Sequence, residues 1–164
     1  AGYKYTATDW ADLVAVLARL AHDHACRWLV ITGRRTGPVG EQQLRRLPPA
    51  VVARLSLFTA EQGRHYLDFL AAGERIFVTE DSGTMITEAI YTRRPVVALR
   101  PRHAQPHAIN KLFLEQFADR RLIHRAAMAE LGLPGHPLPE ATAVTPPPTL
   151  RELGAALQRE WRAA

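Results

Sequence analysis

The chain has 164 residues, a formal net charge of +5 and a sequence pI near 10.0. This length suits one domain with a hydrophobic core, and 47% hydrophobic with 23% charged residues is ordinary for a globular protein. No apolar run approaches the ~20 residues of a membrane-spanning helix, and no signal peptide is visible. We therefore expect a cytoplasmic domain without a transmembrane segment, which could still lie peripherally on the inner membrane.

The single cysteine, Cys26, excludes an internal disulfide, and we interpret it as a small buried hydrophobic residue. Nearly all cations are arginines, and they are spread along the chain rather than gathered in a run. Nucleic-acid binding needs a basic face with stacking aromatics. The pattern therefore predicts no nucleic-acid partner, while phosphate-bearing small ligands remain compatible with the charge.

The first half of the chain predicts a helix at 9–25, from apolar residues at helical spacing, with Thr8 or Asp9 as its N-cap. A continuous apolar strand follows at 27–32, and we expect both of its faces to be buried. Then come a loop at 33–38, a helix at 39–53 that is shortened near two prolines, and a short strand at 55–58.

Helices and strands alternate strictly in the second half. The predicted elements are a helix at 66–72, a strand at 75–79, a helix at 83–92, a strand at 96–99, a helix at 107–118 and a last short strand at Leu122 and Ile123. This order implies βαβ units. The fold class is therefore α/β, a doubly wound parallel sheet of Rossmann type, which binds ligands at the carboxyl ends of its strands.

Composition divides the chain into a Rossmann-like domain at 1–132, a proline-rich linker at 133–148 and a C-terminal helix at 149–164. That helix has an apolar face in need of a partner. No strand precedes the first helix, so we expect the first strand and an N-terminal domain of the same protein to be missing. The isolated chain should then be marginally stable or should form a homodimer.

The turn after Thr79 carries the strongest functional signal. A buried strand ends there and a helix opens near Ser82, so free backbone N–H groups and the helix dipole form an anion site. Gly83 lets a phosphate approach the backbone, and Ser82 and Thr84 add hydroxyl donors. The turn therefore predicts a phosphate-binding site.

Glu88 shares a helix face with Thr84 and lies about 9 Å along the axis from Ser82. That is near the separation between the diphosphate and the ribose hydroxyls of a nucleotide, and a carboxylate can accept two hydrogen bonds from a diol. A plainer interpretation, slightly favoured by the residues alone, makes Ser82 an N-cap and Glu88 a solvated residue.

Three ordered motifs strengthen the ligand-binding interpretation. They are Tyr3-Lys4-Tyr5-Thr6-Ala7-Thr8-Asp9-Trp10, Thr32-Gly33-Arg34-Arg35-Thr36 and the segment 78–89. Over about residues 2–125 the chain resembles bacterial members of the mitochondrial-fission "elongated mitochondria" family known from plants. It departs from the family pattern at Gly33, where a serine is usual, and in lacking the N-terminal half.

The resemblance implies the C-terminal, nucleotide-binding half of a GT-B glycosyltransferase-like protein. It implies a nucleotide-diphosphate sugar as substrate, no further cofactor, Glu88 at the ribose and a set of diphosphate ligands: Ser82, Gly83, Thr84, Arg34, Arg35 and Thr36. The two arginines leave the neighbouring strand at the same sheet edge and can clamp a phosphate bidentately. Candidate contacts to the sugar or the acceptor are Glu80, Asp81, His107, Asn110 and Lys111.

Metal binding is not expected. His103 and His107 are four residues apart, but a metal site needs a third ligand in reach, and Pro106 breaks the intervening helix. We interpret Glu80 and Asp81 as charge complements to the helix N-terminus rather than as metal ligands. No catalytic residue can be named from the sequence.

Three functions remain open. The first is the donor-binding domain of a glycosyltransferase. The second is a non-enzymatic GT-B-like scaffold related to mitochondrial-fission proteins, and nucleotide binding separates it from the first. The third is a sugar-nucleotide epimerase, which product analysis distinguishes from a transferase.

Overall fold

The computed structural model describes residues 2–62 and 64–140. Its elements in chain order are α1 (Ala7–Asp23), β1 (Trp28–Ile31), α2 (Gly37–Leu44), β2 (Val52–Ser56), α3 (Phe58–Glu61), α4 (Tyr66–Ala72), β3 (Ile76–Thr79), α5 (Gly83–Tyr91), β4 (Val96–Arg100), α6 (Ala108–Asp119), β5 (His124–Ala127) and α7 (Met128–Leu131). Residues 133–140 of the expected linker contain no helix or strand. The expected C-terminal helix lies outside the described residues.

The strands form two parallel ladders, β1-β2 and β3-β4-β5. The ring of Trp28 in β1 contacts the ring of Phe77 in β3, with centroids 4.9 Å apart in an edge-to-face arrangement. This ring contact joins a residue of one ladder to a residue of the other. The α/β class and the parallel strands of the sequence prediction are therefore confirmed, although the sheet consists of two hydrogen-bonded parts.

Two hydrophobic clusters cover the two faces of the strands. One cluster joins α5 and α6 to alternate residues of the β3-β4-β5 ladder, including Ile76, Val78 and Ala98. The other joins α1, α2 and α7 to the intervening residues, including Val97 and Leu99. Successive strand residues point to opposite faces, so the two clusters lie on opposite faces of the β3-β4-β5 ladder. Helices on both sides therefore bury both of its faces. This is the doubly wound arrangement.

The first helix begins two residues earlier than predicted, and the predicted caps are wrong. Thr6 is the N-cap, and it forms a capping box with Asp9, in which the Asp9 N–H donates to the Thr6 hydroxyl and the Thr6 N–H donates to the Asp9 carboxylate. A threonine three residues before a carboxylate is the sequence signature of this motif. Thr8 is exposed in the first turn instead.

The second helix and second strand are displaced from their predicted positions. Helix α2 begins at Gly37 and ends at Leu44, well before the prolines at 48 and 49. Strand β2 ends at Ser56 because the Phe58 N–H donates to the Thr32 hydroxyl at 2.8 Å instead of continuing the ladder. The one-turn helices α3 and α7 were not predicted, since four residues show no periodicity.

The last strand is also displaced. Leu122 and Ile123 are buried in the α5–α6 cluster but precede strand β5, because Arg121 adopts a positive φ of 56° and turns the chain at that point. Their apolar character reflects burial in a turn.

Two predictions of burial are also wrong. Leu29 in β1 is 36% exposed, so one face of that strand is open, and Cys26 is exposed in the loop after α1.

Candidate functional site

The start of helix α5 lies at the carboxyl edge of the strands, directly after β3. Ser82 occupies the N-cap position, but its side chain makes no capping hydrogen bond. The N–H groups of the first helical turn have no partner within a helix, so this nine-residue helix keeps its donors for an outside acceptor. Ser82 is therefore the N-cap residue by position, as the plainer interpretation has it, although its hydroxyl does not cap the helix.

The three residues of this turn differ in exposure. Ser82 is buried, Gly83 is half-buried and Thr84 is exposed. A Cβ at Gly83 would meet the Phe113 ring of α6 at 3.5 Å, which is an ordinary contact. The glycine is therefore not required for packing, and its lack of a side chain leaves the backbone of the turn accessible.

Glu88 lies further along the same helix and is exposed, as is Thr84. The Tyr66 hydroxyl of α4 reaches this face, where it donates to the Met85 carbonyl at 3.5 Å. Burial raises the pKa of Tyr66, and a hydrogen bond with Glu88 raises it further. Tyr66 could not be identified from local sequence patterns, because it lies 22 residues from Glu88 on another helix.

Arg35 joins the loop after β1 to the loop after β3. Its Nε donates to the Asp81 carboxylate at 2.8 Å, and its Nη2 donates to the Asp81 carbonyl at 2.8 Å. Arg34 is exposed, and the Thr36 hydroxyl accepts from the Gly33 N–H at 3.1 Å. Of the three predicted clamp residues, Arg35 therefore lies beside the α5 turn, while Thr36 braces its own loop.

Glu80 is 3% exposed and is held from two sides. Arg125 of β5 donates to both of its carboxylate oxygens, at 2.7 and 3.1 Å, and the Tyr3 hydroxyl donates at 3.3 Å. The hydrogen bonds with Glu80 raise the pKa of Arg125, and burial beside Glu80 raises the pKa of Tyr3. These contacts occupy the Glu80 carboxylate with partners from the protein itself.

A cavity of about 480 Å³ opens next to Asp81. We call it the Tyr5 cavity; its walls come from the N-terminal segment, α1 and the loop entering α2, and include Tyr3, Tyr5, Trp10, Arg35 and Pro38. The Tyr5 hydroxyl donates to Asp81 Oδ1 at 2.9 Å, and its ring stacks on Trp10 with centroids 4.7 Å apart. Burial, followed by the Asp81 charge, raises the pKa of Tyr5.

Two buried carboxylates support the surrounding loops. Asp9 is fully buried and accepts hydrogen bonds from the Thr6 hydroxyl at 2.7 Å and from the Arg102 N–H at 2.9 Å. Glu41 of α2 accepts from the Thr32 hydroxyl at 2.7 Å and from both the N–H and the hydroxyl of Thr59. Glu41 thus joins the carboxyl ends of β1 and β2.

Hydrogen bonding outweighs burial at both carboxylates. Burial alone would raise the pKa of Asp9, but the hydrogen bonds from Thr6 and Arg102 lower it. Burial opposes ionisation of Glu41 in the same way, and the bonds from Thr59 and Thr32 lower its pKa. Sequence reasoning named Asp9 only as a possible N-cap and a motif residue, and it did not single out Glu41, because the partners Arg102, Thr32 and Thr59 lie on other segments.

The remaining predicted contacts lie at or near the start of α6. His107, Asn110 and Lys111 are all exposed there, and Lys111 forms a distant ion pair with Glu115 at 3.8 Å. His103 is exposed in the preceding loop. Across residues 2–62 and 64–140, no three His, Cys, Asp or Glu side chains gather in a group that could hold a metal ion.

The fold and this edge define a doubly wound α/β domain of the Rossmann-like kind. The chain belongs to the mitochondrial fission ELM1 family, whose model matches residues 1–146. No curated protein and no solved structure gives a significant match. In the part of the chain that the structure describes, no helix is long and apolar enough to cross a membrane.

Proposed function

We propose that this chain is the donor-binding domain of a GT-B-type, glycosyltransferase-like protein and binds a nucleotide-diphosphate sugar. One observation supports this above the others: the uncapped start of α5 opens at the carboxyl edge of the strands, with Arg35 beside it. A helix start of this kind is a ready anion site. The position matches the rule that ligands of open α/β sheets bind outside the carboxyl ends of the strands.

The diphosphate would lie on the first-turn N–H groups of α5, with the hydroxyls of Ser82 and Thr84 as further donors. Glu88, exposed on the same helix, would accept the ribose hydroxyls. Donors fixed before the reaction stabilise the charge that develops on a leaving diphosphate.

A scaffold without enzymatic activity is the second candidate. It is favoured by the internal pairing of Glu80 with Arg125 and of Asp81 with Arg35, which leaves both carboxylates bonded to the protein itself. The family description, mitochondrial fission, is compatible with a role in recruiting other proteins. If the protein is a scaffold, the residues at the carboxyl edge of the strands stabilise the fold and bind no nucleotide.

Nucleotide binding separates the two candidates. We expect isothermal titration calorimetry of the full chain with UDP, GDP, ADP and CDP to detect binding of at least one of them. Thr84→Asp adds a carboxylate at the second helical position of α5, where it favours the helix dipole but repels a diphosphate. We expect at least about a tenfold loss of affinity, equal to ~1.4 kcal/mol, with no loss of thermal stability.

Thr8→Asp is the matched control, because Thr8 is exposed at the same position in the first turn of α1. It should leave nucleotide affinity unchanged. Absence of binding by every nucleoside diphosphate would favour the scaffold. An equal loss in both variants would show a general charge effect rather than a site at α5.

A further inference from the structure

We propose that the Tyr5 cavity is the subsite for the sugar ring of the nucleotide-diphosphate sugar, and that Tyr5 and Arg35 recognise the sugar hydroxyls. The inference rests on the proposed function and goes beyond it by assigning a separate place to the sugar. Tyr3, Tyr5 and Trp10 do not belong to the diphosphate or ribose sites, whereas Arg35 borders both the α5 turn and the cavity.

The order of groups along α5 supports this assignment. Glu88 lies in the second turn of the helix, the uncapped N–H groups lie at its start, and Asp81 precedes the start and borders the cavity. A nucleotide-diphosphate sugar has the same order: ribose, diphosphate, sugar. With the ribose at Glu88 and the diphosphate at the helix start, the sugar reaches the cavity.

The size and lining of the cavity suit a sugar ring. Its volume of about 480 Å³ falls within the ~300–1,000 Å³ typical of small-molecule sites. Tyr5 and Trp10 give it aromatic walls, and an amphipathic ring such as a pyranose can lay its C–H face on an aromatic surface while its hydroxyls reach polar groups. Arg35 supplies donors, and the Tyr5 oxygen supplies an acceptor.

Asp81 acts as a positioning residue. Its Oδ1 accepts from Tyr5, its Oδ2 and its carbonyl accept from Arg35, and these bonds fix both side chains on the cavity wall. Because the Tyr5 hydroxyl already donates its proton to Asp81, its lone pairs are oriented to accept a hydrogen bond from a sugar hydroxyl. Sugar recognition then depends on the tyrosine oxygen rather than on the carboxylate.

The test measures how much the sugar adds to binding. Calorimetry of the full chain compares UDP with UDP-glucose and GDP with GDP-mannose, and the ratio of the dissociation constants of each pair is the sugar increment. Tyr5→Phe keeps the ring and removes the oxygen, so we expect the increment to fall about 3- to 10-fold with unchanged affinity for the diphosphate. Tyr91→Phe, at an exposed tyrosine at the far end of α5, is the matched control and should change neither.

Two further variants separate the sites. Glu88→Gln, at the proposed ribose contact, should weaken the diphosphate and the sugar-diphosphate equally. Asp81→Asn should tighten the bare diphosphate, because a negative charge near the phosphates is removed, while lowering the sugar increment. Loss of structure alone would weaken both ligands, so these opposite changes identify a positioning role.

The outcomes distinguish the two proposals. An unchanged increment in Tyr5→Phe, or an increment of one in the wild type, would overturn the sugar subsite while the diphosphate site stands. An equal loss for both ligands in Tyr5→Phe would place Tyr5 in the diphosphate site instead. If neither diphosphates nor sugar-diphosphates bind the wild type, the proposed function fails and the subsite fails with it.

Discussion

Asp9 shows how a single buried side chain organises two segments that are distant in sequence. Its carboxylate closes the capping box of α1 and also holds the Arg102 N–H in the loop after β4. Replacement by Asn keeps the shape but removes the charge from these hydrogen bonds. We expect Asp9→Asn to lower the free energy of unfolding at neutral pH by about 1–3 kcal/mol, measured by urea denaturation.

The pH dependence of this effect has a definite sign. The folded-state pKa of Asp9 is lowered, so its contribution is fully present above the ordinary carboxyl value of about 3.9 and is lost as the pH falls through the folded-state pKa. The difference between wild type and Asp9→Asn should therefore shrink as the pH falls below the ordinary carboxyl value of about 3.9. Asp68→Asn, at an exposed aspartate, is the control and should show no such trend. A difference that is constant with pH would contradict the role of the charge.

The proposed role of Glu88 in ribose binding also depends on a single carboxylate. We expect Glu88→Gln to weaken nucleoside diphosphate binding by about 1–3 kcal/mol, the usual effect of disturbing a charge-assisted hydrogen bond. The wild type should prefer a ribonucleotide over its 2′-deoxy analogue if the 2′-hydroxyl is a contact, and the variant should lose part of that preference. The measurement is calorimetry with both ligands on both proteins.

Glu74→Gln is the control for that experiment, because Glu74 is exposed just before β3, at the opposite edge of the strands. Equal affinities in all four combinations would make Glu88 an ordinary surface residue. The fold should survive the substitution, because the Glu88 side chain is exposed.

The candidate residues beside α5 were predictable because they follow one another in the sequence. A buried strand, a turn and a helix start leave a local pattern at 78–88. Arg35 follows another apolar strand, β1, at the carboxyl edge of the strands. The partners of these residues were not predictable. Tyr5 and Asp81 are 76 positions apart and Arg125 and Glu80 are 45 apart, and no local periodicity connects such pairs.

At the scale of elements, α1 and α2 pack so closely that one position admits only glycine. A Cβ at Gly40 would lie 2.8 Å from the Trp10 ring and 2.8 Å from Thr36 Cγ2. The Trp10 ring is buried beneath Tyr5 and has little room to move. We expect Gly40→Ala to destabilise the fold by about 1–3 kcal/mol through overpacking, measured as a shift in the urea midpoint.

Gly33→Ala is the matched control. A Cβ at Gly33 would meet nothing within 4 Å, and its φ lies outside the left-handed region. Its effect on stability should stay within about 0.5 kcal/mol. Comparable destabilisation by the two substitutions would show that the close approach of the Trp10 ring to Gly40 does not matter.

Element type was predictable from periodicity, whereas several boundaries were not. The helices at α1, α4, α5 and α6 follow apolar spacing, and the buried strands β3 and β4 follow continuous apolar runs. Strand β2 ends where the Thr32 hydroxyl captures a backbone N–H, and β5 begins after the positive φ at Arg121. Both boundaries depend on contacts or dihedral angles that residue type alone does not determine.

At the scale of the whole molecule, the Glu80–Arg125 pair links β3 with β5 and, through Tyr3, with the N-terminal segment. Removing the cation would leave the Glu80 carboxylate buried without its charged partner. We expect Arg125→Met to lower the free energy of unfolding by about 3 kcal/mol. Adding Glu80→Gln to that variant should recover much of the loss, and chemical denaturation of both proteins provides the comparison.

Arg35→Met is the reference substitution, because it breaks an ion pair whose arginine side chain is 62% exposed. Screening by solvent limits such pairs to about 1 kcal/mol or less. If Arg125→Met were no more destabilising than Arg35→Met, the buried pair would not be a structural link. A recovery of stability in the double variant would show that the unpaired carboxylate causes the loss.

The parallel, doubly wound arrangement followed from the strict alternation of strands and helices. The division of the sheet into two ladders could not be predicted in this way, because the sequence of a strand says little about which of its edges stays unpaired. Trp28 and Phe77 were recognisable only as apolar strand residues, and the contact between their rings depends on the packing of the whole domain.

This seam between the ladders gives the molecule a mechanical property. The β1-β2 ladder and the β3-β4-β5 ladder meet through side chains, by the Trp28–Phe77 rings within the strands and the Arg35–Asp81 pair at the carboxyl edge. Side-chain contacts tolerate sliding that a row of backbone hydrogen bonds resists. The distance between the loop carrying Arg35 and the start of α5 is therefore set by side-chain packing and one ion pair, not by a shared row of backbone hydrogen bonds.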